Sequence, residues 1–236
     1  TGRLASVMVH VNVGTANAIC GIMNASRENV PILMTSGRTP LTEEGYDGSR
    51  SLYIHWGQEM FDQAGLMREM VKWDYELRNV KQIETVVDRA VSVAMSEPRG
   101  PVYLSLPREV LAEKPGDFSF QSPSRRVAAH GSAPDPAALD EAAQILTSAK
   151  NPLIITASVG QNQAAVPALE SLAERYELPV ITYRPRYVNI SSDHPMHMGY
   201  EPGAYLPTVD AVLVVDCDVP WIPSLHKLNP DASVIH

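Results

Sequence analysis

The sequence is poor in cysteine, in long apolar runs and in clustered charge, and each shortage removes a class of function. Its two cysteines, Cys20 and Cys217, have neither a CxxC partner nor histidines at metal-ligand spacing. They read as ordinary buried thiols rather than as a redox or metal motif. No apolar run approaches the roughly 20 residues of a membrane span, and the opening Thr-Gly-Arg-Leu-Ala is not a signal peptide. The expectation is a soluble, cytoplasmic protein with no membrane partner. The formal charge of −8 comes without an acidic block, and basic clusters are limited to pairs such as Arg125-Arg126, which excludes nucleic acid as a partner. An initiator Met is missing too, the chain opens at the edge of a strand, and Ser233-Val234-Ile235-His236 reads as a strand in progress. The chain is therefore read as a fragment, or the visible part, of a longer protein.

What is present is apolar material, 44% of 236 residues, enough to fill the cores of two ordinary domains. An apolar strand over residues 4–9 breaks at a turn around Gly14, where Thr15 is a good N-cap. A helix follows with Ala18, Ile22 and Ala25 at its spacing, until Asn29 and Pro31 stop it and Ile32-Leu33-Met34 restarts a strand. Residues 38–58 carry Pro40, Gly45, Gly48 and Gly57 without a period and read as a long functional loop holding Tyr53 and Trp56. A short helix over 59–71, a strand within 72–77, a helix on Ile83, Val86, Val87, Ala90, Val91 and Ala94, and a buried strand over 102–106 complete the first half.

Residues 113–134, rich in Pro, Ser, Gly and Arg, read as a linker between a domain over 1–112 and another over 135–236. In the second, Asp135-Pro136 caps a helix with Leu139, Ala142, Ala143 and Leu146 as its stripe. Strands at 152–156, 179–182 and 211–215 and a helix over 164–176, with Val166, Leu169, Leu172 and Ala173 inward, continue the alternation. The predicted fold class is α/β: two three-layer α/β/α domains with mostly parallel sheets. The turn after the first strand exposes a helix's first N–H groups, a favoured place for a polar ligand in open α/β sheets.

The stretch from Asn12 to Asn17, followed by a helix and by Val30-Pro31-Ile32 and a strand ending at Gly37, resembles the Gly-Pro-Gly-Ala-Thr-Asn segment of acetolactate-synthase-like thiamine diphosphate enzymes, with Asn12 for its first glycine and Val13 for its proline. Gln58-Glu59, Lys72, Gly100-Pro101-Val102-Tyr103-Leu104 and Leu106-Pro107-Arg108-Glu109 continue the match. In the second half Asn151-Pro152-Leu153-Ile154-Ile155, Leu178-Pro179-Val180-Ile181-Thr182, His194-Pro195 and Asp210-Ala211-Val212-Leu213 are similar to the central domain of the same enzymes.

The resemblance implies an incomplete pyrimidine-binding domain and a central domain, and a parent enzyme that decarboxylates or carboligates 2-oxo acids. Thiamine diphosphate and Mg²⁺ would be its cofactors, and a homodimer or homotetramer its assembly. A 2-hydroxyacyl-CoA lyase or benzoylformate-decarboxylase-like activity is the runner-up, and a non-catalytic α/β binding or regulatory protein the reading from a different class. The family's activating Glu precedes its counterpart of the opening strand, and its Gly-Asp-Gly diphosphate motif has no match after Val110. FAD is disfavoured. Where flavin-binding members have Gly-Gly-Gly and Gly-x-Arg, this chain has Ala157-Ser158-Val159-Gly160 and Asp216-Cys217-Asp218, one glycine for three and two repelling carboxylates.

The candidate cofactor-binding residues are carried by the resemblance. Gly14 and Asn17 match the loop laid near the cofactor, or form a tight turn whose Asn serves the helix. Gln58 matches the Gln that reaches the active site, or is a surface amide. His55, beside Trp56, is the candidate catalytic residue for proton transfer, against a hydrogen-bonded loop histidine. His194 and His197 lack a third ligand for a metal, no metal ligands are assigned, and Tyr183, Tyr187, Tyr200 and Tyr205 read as pocket lining or as packing.

Overall fold

A computed structural model of the chain describes residues 2–120, 127–129 and 131–236. The Arg125-Arg126 pair and the middle of the expected linker lie outside the described residues. The chain divides into two units, Thr1–Ser132 and Ala133–His236, each described by itself.

In the first unit the elements run β1 (Ala5–Val9), α1 (Val11–Arg27), β2 (Ile32–Arg38), α2 (Ile54–Gly57), β3 (Asp74–Glu76), α3 (Ile83–Met95), β4 (Val102–Pro107) and α4 (Arg108–Ala112). The sheet order is β1-β2-β4-β3 with every pairing parallel. Successive residues of β2 and β4 point to opposite faces. Met34 and Tyr103 pack with Ile22 of α1, while Val102 and Leu104 pack with Val86, Ala90 and Ala94 of α3. One helix on each face gives the expected three layers.

In the second unit α5 (Pro136–Ser148), β5 (Pro152–Thr156), α6 (Ala165–Arg175), β6 (Val180–Thr182), β7 (Ala211–Val215) and β8 (Ser233–Ile235) build a sheet of order β6-β5-β7-β8, again all parallel. β5 is buried along nearly its whole length, as a continuous apolar run in a parallel sheet should be. Ile154, Val180 and Leu213 face Leu169 and Ala173 of α6. The opposite face, with Leu153, Ile155, Val212 and Val214, is covered by Leu206, Val209 and Trp221 from irregular stretches.

Several expectations need correction. The first helix begins at Val11, so Gly14 lies inside it and Thr15 does not cap it. The reversal is made by Val11 itself at φ +34. Glycine is needed at 14 for another reason: a Cβ there would lie 2.9 Å from the Val9 Cβ, so only Gly lets α1 fold back on β1. The expected helix over 59–71 shrinks to one 3₁₀ turn, Ala64–Leu66. There the Asp62 carboxylate accepts from Gly65 N–H at 2.9 Å and pairs with Arg68 at 2.7 Å, a local side-chain bond that competes with helix. Residues 38–58 gain one helical turn, α2, which Gln58 ends rather than precedes. Leu139, expected in the stripe of α5, is 53% exposed, and Leu172 faces out of α6. Cys20 is exposed on α1, whereas Cys217 is buried, and burial pushes its thiol above the usual value. Among the described residues no helix is long and apolar enough to cross a membrane.

Candidate functional site

Because every strand of the first sheet runs the same way, the carboxyl ends of β1, β2 and β4 open on one edge, and the segments that leave there form the candidate site. β1 passes through His10 directly into α1, with Gly14 N–H bonded to His10 O at 2.7 Å. A β-branched residue at positive φ is strained by about 1–3 kcal/mol, so Val11 must be held by its surroundings. Thr15, fully buried one turn on, donates its hydroxyl to Val11 O at 2.7 Å. The same Thr15 oxygen lies 3.2 Å from the Tyr103 hydroxyl of β4, which in turn is 2.5 Å from Ser36 Oγ of β2. Gln63, 2% exposed, places Nε2 at 2.8 Å from Ser36 Oγ, 2.9 Å from Gly37 O and 2.9 Å from Tyr103 Oη.

The loop after β2 is bound to the start of α4. Glu109 accepts from Thr42 N–H at 2.8 Å and from the Thr42 hydroxyl at 2.7 Å. Burial pushes the Glu109 carboxyl up, but these bonds outweigh it and hold the group below the usual carboxylate value. Gly48, at φ +89, rests on the Arg108 carbonyl where a Cβ would come within 2.9 Å. Arg50 pairs with Glu59 at 2.6 Å and Glu43 at 3.3 Å, and its guanidinium lies over Trp56 at 5.5 Å. Trp56 in turn donates Nε1–H to Glu43 at 3.1 Å.

His55 sits within this frame. Its Nδ1 faces the N–H groups of Ser51 at 3.1 Å and Leu52 at 3.4 Å, which cannot turn away, so Nδ1 is the acceptor and the ring proton belongs on Nε2. That nitrogen is 3.4 Å from Arg108 Nη1, and since both are then donors no hydrogen bond joins them. The lone pair a general base would use is thus engaged in holding the turn 51–55. Gln58 is half-buried at the end of α2, Gly14 half-buried against β1, and Asn17 exposed on α1. The two pairs sit on segments that leave neighbouring strands.

Sequence reasoning missed Tyr103, Gln63 and Ser36. The available signal was the tyrosine itself, whose hydroxyl in an otherwise apolar buried strand requires a partner. A cleft of about 350 Å³ opens beside the site, lined by Arg38, Gln63, Arg68, Asp74, Glu76 and Arg78 among others. Its charges pair internally, Arg38 with Glu76 at 2.7 Å and Arg68 with Asp62 and Asp74, so it presents no surplus of either sign.

Among the described residues no three His, Cys, Asp or Glu side chains are grouped to hold a metal. His194 accepts Met196 N–H at 3.2 Å and His197 shares a 2.7 Å bond with Thr182, which places both in the packing around β6. Tyr183 and Tyr200 pack edge-on against His226 and His197.

Comparison with known proteins gives this edge a family. Residues 1–66 match the thiamine pyrophosphate enzyme N-terminal binding domain and residues 139–236 the central domain, together more than half of the chain. Sulfoacetaldehyde acetyltransferase of Rhodobacter capsulatus is 28% identical over 204 residues, which cover 84% of this chain and 31% of that protein. The large subunit of acetolactate synthase isozyme 3 of Escherichia coli is 25% identical over 252 residues, covering all of this chain and 42% of that one. The crystal structure of a Mycobacterium smegmatis protein described as a thiamin diphosphate-dependent enzyme superposes with a TM-score of 0.78 at 27% identity, over 99% of this chain and 45% of that one. The chain thus spans less than half the length of the proteins it matches. Its two units carry, in order, two successive domains of one family, and the chain belongs to the thiamine pyrophosphate enzymes.

Proposed function

We propose that the protein to which this chain contributes decarboxylates 2-oxo acids, with or without carboligation, in the manner of acetolactate synthase. It uses thiamine diphosphate with Mg²⁺ and works in the cytoplasm as a homodimer or homotetramer. The observation that carries this reading is the strained, buried-anchored turn at the carboxyl edge of β1, in the unit whose first 66 residues match the family's binding domain. Bound thiamine diphosphate supplies a nucleophilic carbon and an electron sink for decarboxylation. The residues here suit the uncharged heterocycle. Asn12, in the first turn of α1, has a buried side-chain oxygen without a partner, and Gly14 and Asn17 follow on the same helix. Gln58, from the neighbouring strand's loop, adds an amide. His55 serves by fixing that loop through Nδ1, and accepting a proton at that nitrogen would require it to release Ser51 and Leu52.

Flavin does not suit the second unit. At the carboxyl end of β5 the Gly160 N–H is already taken by Asn189 Oδ1 at 3.0 Å, and Asn189 Nδ2 donates to Ala157 O at 2.9 Å. A Cβ on Gly160 would overlap the Val188 carbonyl oxygen, so this glycine serves the packing of the chain on itself rather than standing open to a ligand. Asp218, loosely paired with Arg186 at 3.7 Å, adds negative charge there. The test is product analysis of the purified full-length protein with pyruvate and with aromatic 2-oxo acids, with and without thiamine diphosphate and Mg²⁺. Cofactor-dependent turnover of a 2-oxo acid by a colourless protein is expected. No cofactor-dependent turnover overturns the activity, and a stoichiometric flavin absorbance overturns the reading that flavin does not bind.

A further inference from the structure

Partners that can only accept fix the direction of most of the hydrogen bonds around Tyr103. Gly37 O can only accept, so the Gln63 amide nitrogen must face it and spend one proton there. Val11 O can only accept, so the Thr15 hydroxyl proton is spent on it. Thr15 Oγ1 is then an acceptor toward Tyr103, which must donate to it. With its proton so committed, Tyr103 is an acceptor toward Ser36, which donates across the 2.5 Å contact. The second Gln63 proton is shared between Ser36 Oγ at 2.8 Å and Tyr103 Oη at 2.9 Å, both of which can accept it. The result is a one-way chain, Gln63 to Ser36 to Tyr103 to Thr15 to the Val11 carbonyl. It crosses from the 3₁₀ turn through β2 and β4 into α1.

We infer that Tyr103, with Ser36 and Gln63 behind it, is a positioning residue: the relay ends on the carbonyl of the strained Val11 and holds the head of α1 in the shape that meets the cofactor's heterocycle. The second half of this statement rests on the function proposed above. A buried helical threonine commonly bonds back to the carbonyl four residues earlier. What differs here is that the Thr15 oxygen also accepts from Tyr103, which fixes its rotamer, and that the bonded carbonyl belongs to a β-branched residue at φ +34. Bonds aligned in one direction in a dry interior reinforce one another. Thr15, Ser36 and Tyr103 are all within 1% of complete burial, so water cannot substitute for a lost member.

The experiment uses the full-length protein and the variants Thr15→Val, Thr15→Ser and Tyr103→Phe, with hydrogen exchange read first without cofactor. Thr15→Val removes the hydroxyl at constant shape, and Tyr103→Phe removes the link behind it. Both should speed exchange of the amides of residues 14–17 roughly five- to tenfold, while Thr15→Ser, which keeps the hydroxyl, behaves as wild type. Affinity for thiamine diphosphate at fixed Mg²⁺ should fall by a similar factor in Thr15→Val and Tyr103→Phe and keep the wild-type value in Thr15→Ser. Wild-type exchange in both Thr15→Val and Tyr103→Phe overturns the relay. Faster exchange in a protein whose wild type fails to bind thiamine diphosphate supports the relay and overturns the function on which its second half rests.

Discussion

At the scale of single residues, Glu109 shapes a loop that it does not belong to. Its carboxylate takes both the N–H and the hydroxyl of Thr42, 67 positions earlier in the chain, and fixes where the loop leaves β2. Glu109→Gln keeps an acceptor for Thr42 but places an amide N–H₂ where the buried Oε2 has no partner. The expected cost is about 1–3 kcal/mol, from an unsatisfied buried donor and a weakened charge-assisted bond, read as a lower denaturation midpoint with faster exchange in residues 40–59. Acid should mimic the substitution. The folded-state carboxyl titrates below its unfolded value, so its contribution is present at neutral pH and fades as pH falls through and below about 4. A loop whose exchange is the same at pH 3.5 and pH 7, after correction for intrinsic rate, would remove Glu109 from this role. Such residues are hard to find in sequence. Glu109 was visible only as a member of a resembling motif, and Tyr103 looked like one more apolar position of a buried strand. Their partners come from remote segments that only the fold brings together.

At the scale of elements, strands and helices with a clean period were legible, and those that depend on one unusual backbone angle were not. β5 and β7 fall at the expected residues because continuous apolar runs bounded by polar turns admit little else in a parallel sheet. The end of α1 was equally legible, since Asn29 takes the left-handed conformation at φ +52 and Pro31 follows. Its start was not, because nothing in the sequence marks a valine for φ +34. Gly14 looked like the turn and is instead the point of closest helix-to-strand contact. This reverses an ordinary expectation. Gly→Ala within a helix usually stabilises by about 0.5–1 kcal/mol, but at residue 14 the new methyl would press on Val9 Cβ at 2.9 Å, and neither partner is the free end of a flexible chain. Gly14→Ala should therefore destabilise by about 1–3 kcal/mol, the range for overpacking. Thermal unfolding of the two proteins side by side decides it, and a variant as stable as wild type would show that α1 can move off β1 at little cost.

At the scale of the whole molecule, the proposed function gives this chain only half of a cofactor site, in its first unit. On that reading a heterocycle would meet the head of α1 and the loop after β2, which lie on one sheet edge. Thiamine diphosphate, however, is also a multiply charged anion, and on the proposed reading its diphosphate would be held through Mg²⁺, an ion that asks for several oxygen ligands in near-octahedral array. Among the described residues no group of three acidic, histidine or cysteine side chains is placed to supply them. The cleft next to the site is charge-balanced by its own ion pairs. The chain's formal charge of −8 works against an anionic ligand at long range, though salt screens much of this. The remaining contributions are a few hydrogen bonds and packing against one face of the ring, which must also offset the loss of the ligand's free motion. Residues 1–236 alone should therefore bind thiamine diphosphate with Mg²⁺ more weakly than about 0.1 mM and turn over no pyruvate. The full-length protein should bind far more tightly. Titration calorimetry on both proteins measures this directly: low-micromolar binding by the 236-residue chain would mean that it supplies diphosphate and metal contacts of its own, and the half-site account would fail.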